Sequence, residues 1–155
     1  MTKKYKRPLP AVYLDEHIPP TVATVFRPTF RTFEAARSPR LKGRDEMSYL
    51  GELYSDNGIF VTSDLEFVKR VLEAHTRHAG IVWIPKQLLP EEKVQFAQIV
   101  AGYVQGACSG SRTVFRNRVF FPGHDGLRTT GSSDDRGDLE FSWDSFFQMF
   151  DNQQE

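Results

Sequence analysis

Cysteine is almost absent from this chain of 155 residues: Cys108 stands alone, which excludes an internal disulfide framework and a cysteine-rich zinc site and fits a reducing cytoplasm. Long apolar runs are missing too, so no membrane-spanning helix is expected. The basic stretch at residues 1–7 leads into Pro8-Leu9-Pro10 rather than a signal-type apolar segment. Neither GxxxxGK[ST] nor GxGxxG occurs, which leaves nucleotide-cofactor readings without a motif. The histidines His17, His75, His78 and His124 show no zinc-like spacing with other ligands. His75 and His78 flank a predicted helix end, where a charged imidazole is favoured by the dipole.

Net charge is also zero, but the charge is unevenly distributed. Residues 1–44 carry ten Lys/Arg against three Asp/Glu, whereas residues 123–155 carry two against eight. A basic end of this kind suits a polyanion, and an acidic end suits a self-limiting or docking arm; solvated termini account for both equally well.

What is present is an alternation of short apolar runs with amphipathic stretches. Residues 10–15, PAVYLD, form an apolar run ending in an acid, and Ile18-Pro19-Pro20 opens a short helix with proline in its first turn. Residues 29–33 alternate with period two and are expected as a second strand; residues 35–43 form a basic loop. A helix is expected over 45–57, a strand over 59–62, and a helix capped by Ser63-Asp64 with Leu65, Val68, Val71, Leu72 and His75 along one side. A fourth strand covers 80–84. A long helix follows from Leu89-Pro90 with Val94, Ala97, Ile99, Val100, Ala101 and Val104 as packing residues, and an edge-type fifth strand covers 113–121. The fold class is therefore α/β: a three-layer α/β/α sandwich around a mainly parallel sheet of about five strands, joined by right-handed crossovers. Residues 1–122 form the domain. Residues 123–155 form a polar, acidic and aromatic extension, expected to be mobile in part, whose segment 139–150 has the makings of an amphipathic helix for this domain, a second copy or a partner.

In such a sheet, functional groups gather beyond the C-terminal strand ends. The first strand ends in Asp15-Glu16, the helix after the second strand begins at Asp45-Glu46, and the third strand leads into Thr62-Ser63-Asp64-Leu65-Glu66. If these points converge, the crowded carboxylates repel, and a hard divalent cation, Mg²⁺ or Mn²⁺, resolves the conflict and equips the site for phosphodiester chemistry. Each acid has a plainer role as well. Asp64 occupies an N-cap position, Asp45 and Glu46 complement a helix dipole, and Glu66 is a capping partner or a surface acid. Only Asp15 has no capping duty. A receiver-like signalling domain, with Asp15 or Asp64 as phosphoacceptor, would need a lysine at the fifth strand end, where Arg116 and Arg118 are poor substitutes.

The runs VYLDEHIPP, RDEMSYLGELYSDNGIFVTSDLEFVKR and HAGIVWIP resemble, in order, the small PIN-like proteins related to VapC toxins and Mut7-C-type domains. The resemblance covers roughly residues 10–105. It implies a cytoplasmic metal-dependent endoribonuclease, the toxin of a toxin–antitoxin pair, with RNA as substrate and an antitoxin and a second copy of the chain as candidate protein partners; no membrane is implied. Carried over, Asp15, Asp45 and Asp64 become the metal ligands and catalytic acids, with Glu46 an alternative second acid. Glu66 stands where the family has Asp, one methylene longer. Thr62 resembles the strand-end hydroxyl that orients a ligand or a phosphate, and Arg37, Arg40, Lys42, Arg44, Lys69 and Arg70 would contact flanking phosphates. The other reading of the same residues is a catalytically weak PIN-like scaffold that binds nucleic acid or protein.

Overall fold

The computed structural model describes residues 9–35, 46–107, 115–123 and 126–129. In chain order they form β1 (Ala11–Leu14), α1 (Pro20–Phe26), β2 (Thr32–Glu34), α2 (Glu46–Ser55), β3 (Gly58–Thr62), α3 (Leu65–Ala74), β4 (Ile81–Trp83), α4 (Pro90–Ala107), β5 (Val119–Gly123) and β6 (Gly126–Thr129). The sheet order is β2-β1-β3-β4-β5-β6. The first five strands are mutually parallel, and β6 pairs antiparallel with β5 at the edge. Helices cover both faces, so the three-layer α/β/α sandwich stands.

Period-two alternation within each strand builds two separate cores. Val12, Leu14, Ile59, Val61, Val82, Ile84 and Phe120 face α1 and α4. Ala11, Tyr13, Phe60, Ile81, Trp83, Val119 and Phe121 face α2 and α3. Burial on both sides is what permits near-continuous apolar strands, and it is the arrangement parallel sheets require. Three connections, through α1, α2 and α3, share one hand. The fourth differs: β4 to β5 moves across the sheet in the same direction as β3 to β4, yet α4 lies on the α1 face. That crossover is therefore opposite in hand to the others, against the strong preference for a uniform hand. The long span from Ile84 to Val119 gives the chain room to take it, and extensive packing of α4 on α1 holds it.

Several expected boundaries shift. The second strand is Thr32–Glu34 rather than 29–33, because Phe30 leaves the alternation to bury itself edge-on against Phe26, with ring centroids 6.0 Å apart. The fifth strand is Val119–Gly123 rather than 113–121, and it is interior, since β6 from the polar segment covers it. Residues 113 and 114 lie outside the described residues, as do Cys108, His124 and residues 130–155. In α3 the buried stripe is Phe67, Val68 and Val71, whereas His75 is the exposed left-handed C-cap at φ 50°. In α4, Phe96 is buried and Ile99 is exposed, the reverse of the sequence expectation. Arg116 and Arg118 precede β5, whose far end is Pro122-Gly123, so no cation of the kind a receiver site needs stands there. Among the described residues no helix is long and apolar enough to cross a membrane.

His78 is buried, not a helix-end cation. Its Nδ1 accepts from the Gly80 N–H at 3.1 Å, and its backbone exchanges hydrogen bonds with Asn117, tying the entries of β4 and β5 together. Burial lowers its pKa from 6.5 to about 4, so the folded chain keeps the imidazole neutral. The unfolded chain binds a proton at the higher value. Stability from this source is therefore complete above about pH 6.5 and drains away as the pH falls towards about 4, by up to about 3 kcal/mol. Urea unfolding across that window should show this loss, and His78→Gln should flatten it; an unchanged slope in the variant would contradict the assignment.

Candidate functional site at the β1/β3 strand ends

From β1 the chain turns outward to β2, and from β3 it turns the opposite way to β4. The following helices, α1 and α3, lie on opposite faces. The divergence opens a crevice at the C-terminal ends of β1 and β3, the position where doubly wound sheets of order 2-1-3-4-5 bind ligands. Asp15 is the first residue beyond β1, and Thr62 is the last of β3. The parallel ladder continues one step further, because the Asp15 N–H donates to the Val61 carbonyl at 2.9 Å. The backbone beneath the carboxylate is thus fixed by the sheet itself.

The Asp15 side chain belongs to a residue only 7% exposed. Its Oδ2 accepts from the Thr62 hydroxyl and its Oδ1 from the Glu16 N–H, both at 2.8 Å. Thr62 is fully buried and also accepts from the Asp64 N–H at 3.0 Å. Asp64 in turn caps α3, its Oδ1 accepting from the Phe67 N–H at 3.1 Å. A chain of hydrogen bonds therefore runs Asp15–Thr62–Asp64–Phe67, locking both carboxylates to the end of β3. Short bonds to a charged acceptor are worth about 1.5–3 kcal/mol each. The two ion pairs Arg27–Glu34 and Lys69–Glu66 involve neither acid, so among the described residues Asp15 and Asp64 have no cationic side-chain partner.

The other expected residues divide. Glu66 points outward, 79% exposed at its side chain, and pairs with Lys69 across one helical turn at 3.3 Å. Lys69 is partly engaged by it. Thr62 has no exposed surface with which to touch a phosphate, so its role is to orient Asp15. Asp45, Arg37, Arg40, Lys42 and Arg44 lie outside the described residues. Glu46 is the first residue of α2. Because α2 returns the chain from the C-terminal end of β2 to the start of the parallel β3, its first turn belongs to the same end of the sheet as Asp15. Among the described residues no three His, Cys, Asp or Glu groups stand together as a metal cluster; the two acids present are hard-oxygen donors with unused lone pairs, of the kind Mg²⁺ or Mn²⁺ prefers. His17 is exposed beside Asp15 and makes no contact with it. The resemblance gave Thr62 an orienting hydroxyl; the structure directs that hydroxyl to Asp15 and adds the Asp64 N–H as its donor, which the sequence reading did not foresee. Comparison with protein-family models, curated proteins and solved structures finds no match.

Thr62→Val keeps the volume but strands the Asp15 Oδ2 and the Asp64 N–H, and should cost about 2 kcal/mol in urea unfolding. Thr62→Ser should recover most of it. Equal losses in the two variants would show that the methyl group, not the hydroxyl, matters.

Proposed function

We propose that this chain is a metal-dependent endoribonuclease acting from the β1/β3 crevice. The observation that carries the reading is a nearly buried carboxylate, Asp15, held in one orientation by Thr62 and Glu16 yet lacking a cationic partner among the described residues. A buried charge without a counter-ion is unfavourable, and a divalent cation supplies one. Asp15 would hold it through the lone pairs left by its two hydrogen bonds. Asp64 would contribute through Oδ2, which its capping bond leaves open. Asp45, with Glu46 as the alternative, would supply a further oxygen from the start of α2. A cation bound there provides an acidified water and neutralises charge on a phosphodiester.

Thr62 would keep the Asp15 carboxylate from rotating away. The basic sequence segment containing Arg40, Lys42 and Arg44 would supply cations for the phosphates flanking a scissile bond, which makes RNA binding salt-dependent. The resemblance to VapC-type and Mut7-C-type proteins extends the proposal to a toxin restrained by an antitoxin, in the cytoplasm and as a dimer. One observation favours the scaffold alternative: Glu66 is largely exposed and pairs with Lys69.

The decisive assay is cleavage of a mixed-sequence RNA by the full chain with Mg²⁺, Mn²⁺ or chelator. Removing an outer-sphere partner of a metal ligand commonly costs 10–100-fold, so Asp15→Asn should lose more than about 100-fold while retaining RNA affinity, and Thr62→Val about 10–100-fold. Full activity of Asp15→Asn, or activity in chelator, contradicts the proposal. Salt-sensitive RNA binding without cleavage would favour the scaffold.

A further inference from the structure

Helix α4 carries a long uncharged stretch with apolar side chains left exposed on it. From Val94 to Ala107 it has no charged residue, in a chain that is 26% charged. Its exposed positions Gln95, Ile99, Gly102 and Tyr103 recur at helical spacing. Ile99 and Tyr103 are 43% and 42% exposed, two of the four large apolar side chains left open among the described residues. Gly102 beside them adds no side chain, and a Cβ built there would meet nothing within 4 Å, so the face is open at that point. Tyr103 packs on the rings of Phe115 and Phe120, at 5.8 and 6.0 Å. An uncharged, partly apolar face on an exposed helix suits the docking of an apolar segment.

We infer that its occupant is the chain's own segment 139–150, docked in cis. Two features of the molecule argue for this. First, β6 runs antiparallel to β5, so the chain leaves the sheet at Thr129 at the N-terminal end of the parallel strands. Helix α4 runs from the C-terminal ends of the strands back to that same end, and it contacts β6. The exit point therefore lies beside the Tyr103 half of α4. Residues 130–138 can span up to about 30 Å when extended, and α4 is about 27 Å long, so the tether reaches any part of this face and gives the segment a high effective concentration. Second, Leu139, Trp143, Phe146, Phe147 and Phe150 fall at i, i+4, i+7, i+8 and i+11, one apolar stripe at helical period. Glu140, Asp144 and Gln148 fall off that stripe. Aromatic rings suit the exposed Ile99 and Tyr103, and from Val94 onward α4 carries no charge to repel the acids. The inference does not depend on nuclease activity.

The chain has two tryptophans, buried Trp83 and Trp143 in the segment, so the full chain labelled with 5-fluorotryptophan gives an internal reference and a probe. Assignment follows from Trp143→Phe, and solvent isotope shifts report exposure of each indole. Docking in cis predicts a Trp143 shift well below that of a free indole and unchanged on dilution of the protein. Gly102→Glu and Ile99→Glu should raise it to the free value while Trp83 stays unchanged. Gly102→Glu replaces a helix-interior glycine, so folding should be preserved, and Phe147→Ser with Phe150→Ser should release Trp143 from the other side. A fully exposed Trp143, or protection indifferent to both α4 variants, overturns the proposal. Protection that disappears on dilution together with a dimer assigns the α4 face to a second copy and also overturns it.

Discussion

A strand buried on both faces can present polar chemistry only at its ends, and in this protein the Asp15–Thr62 hydrogen bond is where that constraint is resolved. The two residues belong to neighbouring parallel strands whose register places them side by side, the ladder continuing through the Asp15 N–H to Val61. The bond gives a nearly buried carboxylate a donor, spends the hydroxyl of a fully buried threonine, and through the Asp64 N–H reaches the first turn of α3. Burial of Phe67 and Val68 on that helix, the start of β3 against Tyr13, and the geometry of the crevice all follow from the same alignment. A shift of one residue would invert both cores, which is why two independent apolar faces fix the site so firmly.

The opposite-handed connection through α4 has consequences at the other end of the molecule. Placing α4 beside α1 fills one layer with the longest helix, and leaves β5 to be closed off by a hairpin drawn from a glycine-flanked polar stretch. That hairpin protects an otherwise open parallel edge. It also brings the end of the described chain, Thr129, to the end of the sheet where α4 finishes.

Much of this was legible from residue pattern. Four apolar runs gave the first, third, fourth and part of the fifth strand, and proline at the start of α1 and aspartate before α3 marked real helix starts. The errors have physical causes. Phe30 and Phe67 broke the expected periodicities because aromatic packing against Phe26 and Phe60 outweighs a short local pattern. β6 was hidden because a glycine-flanked edge strand need not be apolar. His78 looked like a helix-end cation, and only tertiary burial made it neutral. Of the site, Asp15 stood out as an acid with no local duty. Asp64 proved to be both cap and neighbour, roles that one spacing cannot separate, and Glu66 proved to face Lys69, which depends on a rotamer and not on sequence.

The proposed cation site rests on the orientation of the Asp15 carboxylate. Thermal unfolding of the full chain in rising Mn²⁺ tests it directly, because a ligand bound only by the folded state stabilises it by about 2.7 kcal/mol at a hundred times its dissociation constant. A saturable rise of about 5–10 °C is expected for the native sequence and none for Asp15→Asn. An equal rise in both, or no rise in either, would contradict it.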